Sequence, residues 1–196
     1  MTTAKPPLTD QPLIFFSNAP RWRQWLEQNH ADSKGVWPKF YKKHTGITSL
    51  NYAEALDEAL CFGWIDGQSK TLDEQAYRQR FTPRRKRSIW SKRNREHVAR
   101  LIRAGKMAPA GLLQVKAAKV DGRWQAAYDS PKNMKIPEDF LKQLAKYPKA
   151  ETFFKTLNRT NTYAIAWQLA TAKRPETRQR RMAKLIDMLR RNEKLH

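Results

Sequence analysis

The sequence predicts an α+β protein that is mainly helical, with a small antiparallel sheet near residues 35–43 and 75–82. Three observations lead to this prediction. Apolar residues recur at helical spacing in most of the chain, two short segments carry the β-branched or alternating pattern of strands, and prolines and glycines separate the segments. Seven Trp, six Tyr and eight Phe residues among 196 supply enough apolar volume for a folded core.

Prolines indicate where the N-terminal elements begin and which positions in the sheet they can take. Residues 1–18 are predicted to be a flexible arm, because they are rich in proline at the start and lack apolar periodicity. A helix is predicted to begin near Pro20, with Trp22 on its apolar face. The segment 35–41 is predicted to be a strand, and Pro38 favours an edge position for it because proline donates no hydrogen bond.

The next helix has the clearest signature. Asn51 and Glu54 have the spacing of a capping box, in which each side chain satisfies a backbone N–H of the first turn. The apolar positions that follow form one helical face that ends at Gly63. We expect residues 64–67 to turn the chain, and residues 76–82 to form a strand with one basic face.

The rest of the chain is predicted to be almost entirely helical. Ser91 is a candidate cap, and later helix starts are marked by Pro109, Pro137, Pro148 and Pro175. These elements divide the chain into a flexible arm at 1–18, a motif-bearing α+β domain at 19–130, and a helical region at 131–196 that we expect to pack on it.

Charge is the strongest compositional signal, because the formal net charge is +21. Residues 78–103 hold eleven Lys and Arg against the single acid Glu96, and residues 173–194 are also basic. Residues 54–74 are acidic instead. Concentrated positive charge repels itself, so an anionic small molecule or a phosphate-bearing ligand is the expected partner. The alternative is a solvated basic face that the acidic segment partly neutralises.

Several classes of protein are disfavoured. The glycines do not have the spacing of a dinucleotide-binding or P-loop motif, and the four histidines show no metal-ligand spacing, so neither cofactor nor metal is predicted. Cys61 is interpreted as a packed thiol. The longest uncharged stretch, 160–172, is too short for a transmembrane segment, and no signal sequence is evident. We therefore expect a cytoplasmic protein.

A candidate anion-binding groove follows from the charged motifs. In it, arginine and lysine side chains meet the anion, indole rings form the walls, and one carboxylate orients an arginine. The predicted residues are Trp64, Asp66, Arg80, Arg84, Arg85, Trp90 and Lys92. Two structural alternatives stay open: Asp66 holds its own turn, and the aromatic residues Tyr77, Phe81 and Trp90 pack in the core rather than stack on bases.

The chain resembles a known family through motifs that occur in order along it. These motifs are residues 49–55, 59–67, 80–85, 88–92, 105–111, 122–124 and 163–189. Together they are similar to the YdeI/OmpD-associated family, also called bacteriocin-protection proteins, over about residues 20–190. The resemblance implies a bacterial role in tolerance of bacteriocins and cationic antimicrobial peptides. It also implies a porin or envelope partner and a periplasmic location for some members, and it brings no catalytic residue or cofactor.

Three functions remain as hypotheses. The first is a non-enzymatic tolerance protein that acts through the anion-binding groove. The second is a nucleic-acid-binding module, for which neither a finger nor an RNA-recognition signature is present. The third is a small enzyme acting on an anionic substrate with Asp66 as the base, which we consider less favoured than a binding role.

Overall fold

The computed structural model of the chain describes residues 11–130 and 133–196. In these two ranges it contains eight α-helices and one four-stranded mixed sheet, which confirms the predicted α+β, mainly helical class. Most of the predicted arm, residues 1–10, lies outside the described residues. Its last part does not continue as an arm, because Leu13–Phe15 forms a strand of the sheet.

The elements alternate between strands and helices in the first half of the chain and are helical afterwards. The strands are β1 (Leu13–Phe15), β2 (Trp37–Tyr41), β3 (Trp64–Thr71) and β4 (Ala76–Pro83). The helices are α1 (Ala19–Asn29), α2 (Tyr52–Cys61), α3 (Lys92–Arg103), α4 (Pro109–Val120), α5 (Glu138–Leu144), α6 (Pro148–Lys155), α7 (Arg159–Ala170) and α8 (Pro175–Arg190), with a short 3₁₀ turn at Lys43–Thr45.

The sheet has the strand order β1-β2-β4-β3. The prediction of a small antiparallel sheet is therefore corrected, because β1 and β3 are added and β1 runs parallel to β2. Neither added strand carries a strand pattern: β1 has three residues, and β3 is mostly polar and exposed. The turn predicted at residues 64–67 is also wrong. Gly63 makes that turn with a φ of 74°, which allows β3 to begin at once with Trp64.

The chain forms two compact units. The first contains the described residues up to Ile89 together with Asn94–Ala126, and its core lies between one face of the sheet and the helices α1 and α2. Trp22 is fully buried there, its indole N–H donates to the carbonyl of Ala55 at 3.0 Å, and its ring lies 5.6 Å from that of Phe81. These two helices cover only this face of the sheet, and the opposite face carries the alternate side chains of its strands.

Helix α2 is positioned at both ends. The predicted capping box is present, since Asn51 accepts from the backbone N–H of Glu54 and the Glu54 carboxylate accepts from that of Asn51. At the other end, Gly111 of α4 approaches the carbonyl group of Cys61 so closely that a Cβ at that position would overlap it. Burial raises the pKa of the Cys61 thiol to about 11, which fits the predicted packed thiol.

The second unit contains Trp90–Arg93 and Ala127–His196. Helices α5 to α8 surround an apolar core whose fully buried members include Phe140, Ile165 and Leu189. The C-terminal residues are held by Asn161, whose side-chain oxygen accepts from the backbone N–H groups of Leu195 and His196 at 3.0 Å each.

A charged cluster joins α2 to α3 in the first unit. The carboxylate of Asp57 accepts from His97 Nδ1 at 2.7 Å and from the guanidinium of Arg100 at 2.6 Å. Burial alone would raise the pKa of Asp57, but the hydrogen bonds from Arg100 and His97 outweigh it and hold that pKa below its usual value. The cluster therefore stabilises the fold above the pKa of the unfolded carboxyl group and loses this contribution as the pH falls through the folded pKa.

Replacement of this carboxylate is expected to destabilise the protein in a pH-dependent way. Asp57→Asn should lower the free energy of unfolding at neutral pH by about 1 kcal/mol, since charged hydrogen bonds are lost but solvent screens the half-exposed Arg100. The difference from the wild type should shrink as the medium becomes acidic. Urea denaturation followed by tryptophan fluorescence measures it. Asp187→Asn, which breaks an exposed pair with Arg191 on α8, is the matched control and should change nothing. Equal losses in both variants would contradict the assignment.

Candidate functional site

Three of the predicted site residues lie on the β3–β4 ladder, but they do not point to one spot. Trp64 is buried, and its indole N–H donates to the carbonyl of His30 at 3.1 Å. Asp66 accepts a hydrogen bond from the hydroxyl of Tyr52 at 2.8 Å rather than orienting Arg80. Its Cα is paired with that of Phe81, a buried inward-facing residue, so Asp66 belongs to the helix-covered side of the sheet.

The loop after β4 holds two further predicted residues in different environments. Arg84 is buried, its backbone N–H donates to the carbonyl of Gly63 at 3.0 Å, and its guanidinium donates to the carbonyl of Ile89 at 3.2 Å. Arg85 is exposed, and its backbone N–H donates to the hydroxyl of Ser88 at 2.9 Å. The buried guanidinium therefore supports the loop, whereas the exposed one faces solvent.

The last two predicted residues belong to the second unit. Trp90 is buried, and its carbonyl accepts from the backbone N–H of Tyr128 at 3.0 Å. The ammonium group of Lys92 pairs with the carboxylate of Asp129 at 2.8 Å. Of the aromatic residues expected to pack or stack, Phe81 and Trp90 are buried and Tyr77 stacks on Phe40, which favours packing.

The structure brings a different set of cations together on the open face of the sheet. Lys39 of β2 is paired with Arg78 of β4, and Arg78 is paired with Lys70 of β3, so one row across three strands carries three positive charges. Arg80 lies two residues farther along β4 on the same side. We call these four residues, together with the aromatic residues Phe15, Trp37 and Tyr41 beside them, the basic sheet face.

Aromatic rings lie directly under these charges. The guanidinium of Arg78 lies 4.7 Å from the ring centre of Trp37, and the ammonium of Lys70 lies 6.0 Å from it. The ammonium of Lys39 lies 4.6 Å from the ring of Tyr41. Cation–π contacts of this kind hold the side chains over the sheet without neutralising their charge.

The cations of this face lack the acidic partners that other basic residues of the chain have. Within residues 11–130 and 133–196, none of Lys39, Lys70, Arg78 and Arg80 forms a salt bridge. Other arginines are engaged, for example Arg23 with Glu58 at 2.7 Å. The positive charge of the basic sheet face is therefore not neutralised by acidic side chains of the described residues.

Arg80 is oriented by the start of the described chain. Its Nε donates to the side-chain oxygen of Gln11 at 2.8 Å, and the amide nitrogen of Gln11 donates to the carbonyl of Lys34 at 2.9 Å. This arrangement requires a glycine at position 35, where φ is 142° and a Cβ would lie 2.6 Å from the Gln11 amide. Gly35 thus allows the amide to reach the guanidinium.

Sequence reasoning placed two of the four cations of this site on a common face. The alternation of β4 predicts one basic face, and Arg78 and Arg80 do lie on it, opposite the buried Phe81. Lys39 and Lys70 were missed because nothing in a single sequence gives the pairing register of three strands. In the described part of the chain, no group of three or more His, Cys, Asp or Glu side chains is placed to hold a metal ion.

Two known families match separate parts of the chain. Residues 14–114, about half of the chain, match the family described as Domain of unknown function (DUF8412). The chain belongs to this family. In addition, residues 133–192 match the family described as Bacteriocin-protection, YdeI or OmpD-Associated, which confirms the resemblance to that family. The basic sheet face lies entirely in the part that matches DUF8412.

Two further comparisons, with curated proteins and with solved structures, found no relatives. Neither the curated proteins nor the solved structures gave a match to this DUF8412 chain. None of the helices among the described residues is at once long and apolar enough to cross a bilayer.

The role of Gly35 is open to a direct test. Gly35→Ala should lower the free energy of unfolding by about 1–3 kcal/mol, because it forces a side chain into a backbone conformation that glycine alone adopts readily. Gln11→Ala is the control, since it removes the same amide contacts without backbone strain and should cost about 1 kcal/mol. Chemical denaturation compares them. If both variants lose the same stability, the glycine conformation is not what matters.

Proposed function

We propose that this protein is a non-enzymatic anion-binding protein whose ligand, a phosphate-bearing molecule, lies on the basic sheet face. The observation that supports the proposal is the row formed by Lys39, Arg78 and Lys70 on three adjacent strands. Adjacent strands are about 4.8 Å apart, so the three charges span a width that several phosphate groups of one ligand can contact. Ligand binding would relieve the repulsion among them.

The proposal moves the ligand away from the groove expected from the sequence. Arg80 is common to both sites. The indole rings of Trp64 and Trp90 are buried and Lys92 already pairs with Asp129, so these groups are less available to an anion than those of the sheet face. Arg85 is exposed and could add to a broader positive surface.

A binding role is favoured over catalysis by the position of Asp66, the carboxylate considered as a general base. A general base must reach the substrate that the cations hold. Asp66 instead accepts a hydrogen bond from Tyr52, and its strand register places it on the opposite side of the sheet from Arg78 and Lys39. The proposal therefore assigns no reaction to the site.

The decisive experiment removes charge from the sheet face without reversing it. The variant Lys39→Gln, Lys70→Gln, Arg78→Gln should bind inorganic polyphosphate roughly 100-fold more weakly than the wild type at low salt, with a smaller salt dependence. The matched control is Arg180→Gln, Lys184→Gln, Lys194→Gln, which removes the same charge from exposed residues of the second unit. Isothermal titration calorimetry measures both. An equal loss in the control would show that overall charge, not this face, binds polyphosphate.

The family description supports a cellular setting for this binding. We place the protein in tolerance of bacteriocins, cationic antimicrobial peptides or envelope stress, as the C-terminal match to the bacteriocin-protection family favours. Direct capture of a cationic peptide would be opposed by the net charge of +21, so protection is expected to act through an anionic partner.

This setting is tested in a peptide-sensitive bacterial strain. Expression of the wild type should raise the inhibitory concentration of a cationic peptide at least about twofold, and the sheet-face variant should not, since it has lost its anionic partner. The charge-matched variant of the second unit serves as the control and should protect like the wild type. Protection by the sheet-face variant would separate tolerance from anion binding.

A further inference from the structure

We infer that the ligand of the basic sheet face is a single-stranded nucleic acid, of which one base enters a cavity between β1 and α1. This inference rests on the proposed function and names the class of its anion. Two observations carry it: exposed aromatic surface beside the cations, and a cavity that shares a residue with that surface.

The first observation concerns Phe15. Its side chain is 49% exposed although it lies in a sheet, and its Cα is paired with that of Lys39, which places both side chains on the open face. Its ring meets that of Tyr41 edge-on at 5.8 Å, and Tyr41 also lies under the ammonium of Lys39. A polyphosphate or sulfate ligand has no planar ring that could stack on Phe15, whereas an unpaired base can stack on it.

The guanidinium of Arg78 adds a second planar surface. It lies 4.7 Å from the ring centre of Trp37, which is itself buried, and the Arg78 side chain is only partly buried, so part of it stays accessible to a base. Arginine planes stack on bases in the same way as aromatic rings do. The row across the sheet therefore combines three positive charges with stacking surface at Phe15 and Arg78, as binding of a flexible strand requires.

The second observation is a cavity of about 380 Å³ in the first unit. Its apolar walls include Phe15, Phe16 and Trp25, and its polar lining includes Arg21, Gln24 and Gln28. Carboxamides both donate and accept hydrogen bonds, which matches the edge of a nucleobase. Arg21 and Gln24 are joined only by a long contact of 3.3 Å, so both can turn toward a ligand.

Phe15 belongs to the open face and also lines the cavity, so one strand can contact both. Phosphates would follow Lys39, Arg78 and Lys70, while a neighbouring base lies against Phe15 or enters the cavity. A duplex cannot do this without unpairing, because its bases are stacked inside. We therefore expect preference for single strands over duplex.

The experiment compares probes that share phosphates but differ in bases. Fluorescence anisotropy with the full chain measures binding of a labelled oligothymidine of about 12 nucleotides, the matching oligouridine, an abasic strand of equal length, and a duplex. The oligonucleotide with bases should bind at least about tenfold more tightly than the abasic strand and the duplex. The thymidine and uridine arms distinguish DNA from RNA as the source of the strand.

Two sets of variants locate the base contacts. Phe15→Leu should weaken oligonucleotide binding about tenfold more than it weakens binding of the abasic strand, while Phe15→Tyr restores it. Leu13→Ala is the matched control, since Leu13 is 47% exposed on the same strand but offers no ring.

The carboxamides of the cavity are tested separately. Gln24→Ala with Gln28→Ala should weaken binding of the oligonucleotide but not of the abasic strand. The matched control is Gln143→Ala with Gln179→Ala, both exposed in the second unit, which should weaken neither.

The outcomes separate this inference from the proposed function. If polyphosphate and the abasic strand bind as tightly as the oligonucleotides and Phe15→Leu has no effect, the nucleic-acid inference is overturned and the anion-binding function stands. If no polyanion binds the wild type at low salt, both fail. Equal affinity for duplex and single strand, with no loss in Phe15→Leu, also overturns the inference, because the sheet face then contacts phosphates alone.

Discussion

The packing of Trp22 against Phe81 is the contact on which the first unit depends. It fixes which side of β4 faces the helices α1 and α2, and because side chains alternate along a strand, it also fixes the outward direction of Arg78 and Arg80. The indole N–H of Trp22 finds an acceptor in the carbonyl of Ala55, so its burial leaves no polar group unsatisfied. The packing on the helix-covered side of the sheet thus determines which basic side chains lie on its other side.

The distribution of ion pairs explains why some basic residues of the chain are neutralised while, among the described residues, those of the basic sheet face are not. Several acidic side chains form salt bridges within the fold. Asp57 of α2 pairs with His97 and Arg100 of α3, and Glu58 pairs with Arg23. In the second unit, Asp139 pairs with Arg178, which keeps the pKa of that carboxyl group below its usual value. Lys39, Lys70 and Arg78 of the sheet lie over aromatic rings instead, and these rings do not cancel their charge.

Local signals in the sequence were sufficient for most helices and for locating the two central strands, although the edge position predicted from Pro38 is wrong, because β1 pairs with β2 on the side away from β4. The capping box at Asn51, the prolines that begin helices and the alternation of β4 each act over a few residues, and each has its expected structure. Strand β3 could not be predicted in this way, since its residues are polar and one of its edges faces solvent. Its identification requires the partner strand.

The candidate site was harder to predict, for a related reason. Lys39 and Lys70 are far apart in sequence and meet only through their common neighbour Arg78, so their proximity depends on register. Conversely, Arg84 and Lys92 were predicted to belong to the groove, but the guanidinium of Arg84 donates to a backbone carbonyl and the ammonium of Lys92 pairs with Asp129. A count of nearby charges cannot distinguish a cation with an internal partner from one without.

The irregular register of β3 has a further consequence for how copies of the chain behave toward one another. β3 is eight residues long and forms one border of the sheet, where a regular strand would offer backbone groups for pairing with another molecule. The shift between Asp66 and Ser69 bends this border, and Lys70 adds a charge that a second copy would repel. These features oppose edge-to-edge aggregation while leaving the broad side of the sheet accessible.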